Sequence, residues 1–425
     1  MSEDGRSHAV GVVADDLTGA MDTAHGFAVR GHDTTVLATL PGDGPVDVEA
    51  DALSVNTDSR YDGAQEAAAA VTDAVERVAA RCVYKKVDST LRGNVGAEVT
   101  AALDATDAGV ALVAPAFPSA GRTTVDGVHY VAGTPVAETE YGRDEKGPAS
   151  SEIRDLFVDR PVVSLTLDTV EAGRDAVVDA VADAMAASET APVVVCDART
   201  DEHLVTIAAA GATRDALYVG SGGLAEHLVL DGVATRPPST PRPASGAPLG
   251  VVGSVSETTL TQLERVPAEA VVAVDPVALL DGDGDAAAVE RAAARLAAGD
   301  PVVLTTATRH ATVEETLAAG RERGLSAADI RERVSNGLAG AARRVHDRAS
   351  PSGVFVTGGD VALAVFEVFD ATAVSLSGTG VEAGIPVGTF ADGVAAGIPV
   401  ITKAGGFGSP EAIVTCLDAL TPENE

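Results

Sequence analysis

Two carboxylates, Asp15 and Asp16, stand side by side where the apolar run GVVA gives way to LTG, and a third, Asp22, follows in the helical stretch beyond. Ligands collect at the carboxyl ends of parallel strands, so acids placed there are candidates to meet a polar substrate. Adjacent strand residues point opposite ways. One Asp is therefore expected to face the site and the other the start of the helix. Asp16 or Thr18 could equally cap that helix, because a short polar side chain accepts from the free N–H groups of the first turn. A second group is KKVDSTLRGN, residues 85–94, again a strand end running toward a helix. Lys86, Asp88, Ser89, Thr90, Arg92 and Asn94 crowd it, and an Arg fork beside a Lys suits a carboxylate or phosphate. Alternation puts Lys86 and Asp88 on one face and Lys85 on the other. Between these groups VNTDSR brings Asp58 and Arg60 to another strand end, and the Gly/Pro-rich loop 114–139 carries Arg122 and Thr123.

The second half holds three Gly-rich turns. VVGSVSETTLTQL, residues 251–263, reads as strand, Gly-Ser turn and helix. Helix-start amides with the hydroxyls of Ser254 and Ser256 would form an anion cradle. VFVTGGDVALAV repeats the design, with Gly358 and Gly359 admitting a phosphate and Asp360 available near Mg²⁺. In GIPVITKAGGFGSPEAI, Lys403, Gly405, Gly406 and Gly408 share one loop. Each turn alone is weak, since any tight turn needs Gly for positive φ. Three in one region, one with a lysine, point to nucleotide phosphates, although neither GxxxxGK[ST] nor GxGxxG occurs.

These groups need scaffolds. Apolar runs of strand length alternate with Ala-rich helical stretches, the pattern of an α/β fold with parallel sheets. Strands are expected at Ala9–Ala14, Thr34–Ala38, Ala52–Asn56, Cys82–Val87, Val110–Ala114, Val162–Leu165, Val193–Cys196 and Leu217–Val219. After the midpoint they are expected at Gly250–Ser254, Ala270–Val274, Val302–Thr305 and Val354–Thr357, and Ala327–Arg348 reads as the longest helix. Gly232–Ser256 has no acidic residue, and its middle, ATRPPSTPRPASGAP, can be neither core helix nor core strand. This predicts two domains, 1–231 and 249–425, joined by a Pro/Ser-rich linker at 232–248. Each would be a mostly parallel sheet flanked by helices, with the active site in the cleft between domains.

The chain has 63 acidic and 30 basic residues and a net charge of −33, a surface that repels nucleic acid and anionic membrane. Its acids are dispersed and Lys has largely given way to Arg, which reads as the salt-adapted surface of a halophile. Only four lysines occur, Lys85, Lys86, Lys146 and Lys403, and three of them fall in the groups above. No run reaches the ~18 apolar residues of a membrane helix. The N-terminal MSEDGRSHAV is too polar for a signal peptide, so a cytoplasmic protein is expected. Cys82, Cys196 and Cys416 lack metal or disulfide spacing and the histidines form no HExxH, so any metal should arrive with the nucleotide.

The strings ADDLTGAMD, NTDSR, KKVDSTLRGN, PAFPSAGRTTVDG, GSGGLAEHL, GSVSETTLTQ, TGGD and KAGGFGS, in this order, resemble the four-carbon acid sugar kinase family. That family comprises 3-oxo-tetronate, D-threonate and D-erythronate kinases. The resemblance implies a sugar-acid domain followed by an ATP domain, and phosphorylation of a terminal C4 hydroxyl with ATP and Mg²⁺. Carried over, the substrate set is Asp15, Asp16, Thr18, Arg60, Lys86, Asp88, Ser89 and Arg92. The ATP set is Ser254, Ser256, Thr357, Gly358, Gly359, Asp360, Gly405 and Gly406. Arg92 and Lys86 would hold the acid's carboxylate. Asp16, or next Asp88, would take the hydroxyl proton, and Lys403 with Mg²⁺ would offset charge on the γ-phosphate. The chain departs from the family where EYGRDEKGP follows Thr139, and at Asp360, where many relatives carry Glu. A non-catalytic sugar-acid or nucleotide sensor and a dinucleotide oxidoreductase stay open as rivals, as does a homodimer. The sensor would bind without turnover, and the oxidoreductase is weakened by the missing GxGxxG.

Overall fold

The computed structural model describes residues 8–212, 215–238, 240–282 and 284–422. The polar stretch before His8, Ser239 of the Pro/Ser-rich segment and the last three residues lie outside them. The chain divides into two compact units, Met1–Pro238 and Ser239–Glu425.

In the first unit the strands are β1 (His8–Ala14), β2 (Thr34–Leu37), β3 (Ala52–Asn56), β4 (Ala80–Lys86), β5 (Val110–Ala114), β6 (Arg122–Val125), β7 (Val128–Val131), β8 (Thr134–Pro135), β9 (Val162–Leu165), β10 (Val193–Cys196) and β11 (Ala216–Gly220). Eight of them form a parallel sheet in the order β2-β3-β1-β4-β11-β5-β10-β9. Runs such as VALVA and VVVC are buried along their whole length, as strands covered on both faces must be. From β1 the chain moves outward to β3 and β2 on one side and then returns to β4 on the other. The C-terminal ends of β3, β1 and β4 therefore border a topological switch point, where open α/β sheets bind ligands. Helices α1 (Leu17–Ala28), α2 (Ala64–Arg77) and α3 (Val95–Asp104) follow those three strands or their neighbours. The core includes Val10, Val12, Phe27, Tyr84, Leu112, Val194 and Ile207. The stretch read as a loop, 114–139, instead contains a three-stranded antiparallel sheet, β6-β7-β8. Its turn at Asp126-Gly127 has both residues at positive φ (52° and 76°), as a tight hairpin requires.

The second unit holds β12 (Leu249–Val252), β13 (Val271–Ala273), β14 (Val302–Thr305), β15 (Val354–Thr357), β16 (Ala373–Glu382), β17 (Ile385–Phe390) and β18 (Pro399–Lys403). Their order is β13-β14-β12-β15-β18-β17-β16; the first five run parallel, and β17 and β16 pair antiparallel. The last three strands went unread in the sequence: Ser, Gly and Thr interrupt the apolar pattern of β16 and β17, and the short PVITK of β18 runs directly into the glycine loop. The helix Ala327–Arg348 is 22 residues long and opens on a capping box between Ser326 and Asp329. Among the described residues no helix is long and apolar enough to cross a membrane.

Candidate functional site

Asp15 and Asp16 do not part to opposite faces, because β1 ends at Ala14 and alternation ends with it. Both turn to Arg60, delivered from the end of β3. Arg60 donates Nε and an Nη to the two oxygens of Asp15 (2.7 and 2.9 Å) and its other Nη to Asp16 Oδ2 (2.8 Å). Asp16 is also the N-cap of α1: its Oδ1 accepts from Gly19 N (2.9 Å) and its Oδ2 from Thr18 Oγ1 (2.7 Å). Arg92 holds Asp88 through two donors, Nε to Oδ2 (2.7 Å) and Nη to Oδ1 (3.1 Å), and Thr90 donates to the same Oδ2. Arg60 lies 3.9 Å from Asp88, so both clusters join in one buried network.

Electrostatics follow from these contacts. Burial alone would raise the Asp16 and Asp88 carboxyls, but Arg60 and Lys86 keep Asp16 below the ordinary range, and Arg92 and Arg60 hold Asp88 well below it. The expectation that Asp16, or next Asp88, takes a hydroxyl proton meets an obstacle here. Their oxygens are already occupied, and a cation-clamped carboxylate has little proton affinity to offer.

The two lysines of β4 part as alternation requires. Lys85 is fully buried and pairs with Glu98 of α3 at 2.9 Å. Lys86 reaches the first turn of α1: a Cβ on Gly19 would lie 2.6 Å from its Nζ. Ser89 is buried in the turn beyond Asp88, where its carbonyl accepts from Nε2 of the buried His129 (2.9 Å). His129 was not singled out in the sequence, and its Nδ1 meets Thr124 Oγ1 at 3.1 Å. Asn94 ties the segments together by donating to the carbonyls of Ser59 and Asp62, each at 3.1 Å. Only the density of polar residues in the two strings hinted at these cross-links.

In the second unit β12, β15 and β18 are neighbours, and so their C-terminal turns converge. Gly253 N and Ser254 N donate to Thr357 O (2.9 and 3.2 Å), while Ser256 Oγ and Thr259 Oγ1 donate to Gly405 O (2.8 and 3.0 Å). Gly358 adopts φ 102°, and a Cβ there would lie 2.9 Å from Ser254 N, so only glycine fits. A Cβ on Gly405 would lie 2.2 Å from Ser254 Oγ. Gly406 follows on the same partly exposed loop. Gly359 and Asp360 open the helix Gly359–Val368, and Asp360 lies 3.4 Å from Arg331. The Thr357 hydroxyl is buried with no hydrogen-bond partner among the described residues, an orphan at the strand end that a ligand oxygen would satisfy. Thr259, absent from the predicted set, is the junction of the hydroxyl cluster, also donating to Ser254 Oγ at 3.0 Å.

Lys403 departs from its expected role. It is fully buried, with Nζ turned to the carbonyls of Ala404 (3.0 Å) and Phe407 (3.3 Å), and burial lowers it to about 8. It braces the glycine loop from below rather than reaching out of it. Among the described residues no three potential metal-ligating side chains cluster.

Residues 10–228 match the family model described as a sugar-binding N-terminal domain, and residues 249–413 the one described as a nucleotide-binding C-terminal domain. The chain is similar to a D-threonate kinase of Salmonella typhimurium, 35% identical over 96% of this chain and 97% of the relative. A D-erythronate kinase of Heliobacterium modesticaldum is 32% identical over 96% of both chains. A 3-oxo-tetronate kinase of Methylobacterium radiotolerans is 34% identical over 90% of this chain and 92% of that one.

Proposed function

The chain belongs to the four-carbon acid sugar kinase family, and from that premise we propose that it moves the γ-phosphoryl group of ATP to the terminal C4 hydroxyl of 3-oxo-tetronate, threonate or erythronate. One observation carries the reading: in a chain with only four lysines, Lys86 reaches the start of α1 next to the cluster in which Arg92 keeps a partly exposed edge, two cations placed to meet an acid's carboxylate.

Phosphoryl transfer is mainly positioning and charge stabilisation. In the first unit Lys86 and the outer edge of Arg92 take the acid's carboxylate, while Ser89 and Thr18 offer hydroxyls to the polyol. Arg60 fixes Asp15 and Asp16, and through Asp16 the start of α1. In the second unit the backbone of Gly358, Gly359, Gly405 and Gly406 and the hydroxyls of Ser254, Ser256 and Thr357 hold the ATP phosphates. Thr357's orphan hydroxyl and the three interlocked turns fit that load. Magnesium would come with the nucleotide, held by phosphate oxygens and Asp360, and supply positive charge against them. Lys403 keeps the 404–408 loop in shape.

The test is a coupled assay for ADP release in high KCl across threonate, erythronate and their 3-oxo forms. Acceptor-dependent ADP release with one of them is expected. Tight acid binding with no release would favour a sensor and overturn the kinase reading.

A further inference from the structure

Attack on the γ-phosphorus strips a proton from the acceptor hydroxyl, and a base must receive it. Resting on the kinase reading, the question is which carboxylate of the first unit is free. Asp15 spends both oxygens on Arg60, Asp16 on Gly19, Thr18 and Arg60, and Asp88 on Arg92 and Thr90. Asp22 differs. It lies on α1 four residues beyond Thr18, hence on the same helical face. It is partly exposed, and among the described residues neither a hydrogen bond nor an ion pair reaches its carboxylate. That carboxylate abuts the turn after β11: a Cβ on Gly222 would lie 2.5 Å from Asp22 Oδ2. The glycine of GSGGLAEHL thus leaves room for the acid.

We propose that Asp22 is the general base, accepting the C4 hydroxyl proton as that oxygen bonds to the γ-phosphorus. The bond from the γ-phosphorus to the β,γ-bridging oxygen breaks, ADP leaves with the electron pair, and Asp22 later returns the proton to solvent. The surroundings suit the task. Burial raises its carboxyl to about 6, against the opposing pull of Lys86 from β4 and Arg122 from β6, with Asp16 adding to the rise. Tyr84 and Glu226 also feel its charge. A base titrating near neutrality keeps both proton affinity and an ionised population.

The decisive measurement is kcat against pH, with both substrates saturating, for wild type, D22N and D22E, with sugar-acid affinity followed by calorimetry. Wild type should lose kcat below about pH 6. D22N should lose roughly 10²–10⁴ in kcat together with that acid limb, while still binding the sugar acid. D22E should keep part of the activity with a displaced limb. A D22N enzyme within tenfold of wild type, or one retaining the limb, overturns the assignment. If D22N does not fold, D22E decides: a shifted limb supports Asp22 and an unmoved one overturns it. Wild type inactive on every four-carbon acid would instead sink the kinase reading, and Asp22's role with it.

Discussion

At the scale of single residues, the two cation-acid clusters differ in how much reach they leave. Arg60 is buried and wholly engaged, whereas Arg92 gives two donors to Asp88 and keeps a more exposed edge. Arg92→Ala should therefore raise KM for the sugar acid by roughly 10–150-fold, the loss of a charged hydrogen bond of about 1.5–3 kcal/mol, and KM for ATP far less. Equal rises in steady-state assays would contradict the assignment of substrate to the first unit. His129 gives a second test. Burial pushes its imidazole down to about 4, against about 6.5 when unfolded. The unfolded chain binds the proton first, so this residue's stability is intact above pH 6.5 and drains away between 6.5 and 4. The cost at full protonation is on the order of 3 kcal/mol. Urea midpoints at pH 7.5 and 4.5 should converge in His129→Asn relative to wild type; an identical pH slope in the two proteins would show that His129 titrates normally. Neither residue was equally legible. Arg92 stood out by its neighbours in KKVDSTLRGN, while His129 looked like a loop histidine, since its contact with Ser89 spans 40 positions and leaves no local pattern.

At the scale of elements, parallel strands were readable because burial on both faces makes them uniformly apolar. What escaped were mainly antiparallel pieces: β6 to β8 inside a Gly/Pro-rich stretch, and β16 and β17, where sequences such as AVSLSGTGVE alternate weakly. The short parallel β18 also escaped, as its PVITK runs directly into the glycine loop. The hairpin turn at Ala383-Gly384, with Gly384 at φ 72°, was the overlooked signal. Pairing between elements was also illegible. Lys85 was rightly set opposite Lys86 by alternation, but nothing local identified Glu98 as its partner. That pair staples β4 to α3 with both side chains almost wholly out of water. Removing one member strands a buried charge, which costs about 3–5 kcal/mol, whereas replacing both by apolar groups is often nearly neutral. Lys85→Met should thus be strongly destabilising in urea melts, and adding Glu98→Leu should recover much of the loss. A Lys85→Met protein as stable as wild type would mean that the staple contributes nothing.

At the scale of the whole molecule, two features are physical rather than local. The acid-free segment is tied to each unit at separate points: Arg236 N donates to Gly31 O (2.7 Å) within the first unit and Ala244 N to Ser352 O (2.9 Å) within the second. A cut near Pro241 should leave two fragments that fold separately but do not turn over alone, checked by circular dichroism and the ADP-release assay. Aggregation of both, in salt that keeps the intact chain stable, would misplace the boundary. The other feature is charge. Lowering salt strengthens pairs such as Arg323–Asp281 and Arg343–Asp347, which favours folding. It also unscreens repulsion among the acids left over when 30 basic residues face 63 acidic ones. Exposed pairs are worth at most about 1 kcal/mol each, and most acids have no basic partner available, so repulsion wins. The Debye length grows from ~3 Å at 1 M to ~10 Å at 0.1 M, enough for acids on neighbouring turns to feel each other. Melting temperature should therefore fall as KCl is reduced between those limits, by ~2–4 °C for each kcal/mol lost in a unit of this size. The loss should be global, because the Arg60 and Lys85 networks are buried and poorly screened at any salt. A melting temperature unchanged across that range would remove salt adaptation as the reason for the acidity. A selective rise in sugar-acid KM at low salt, with melting unchanged, would instead place the sensitivity in the site.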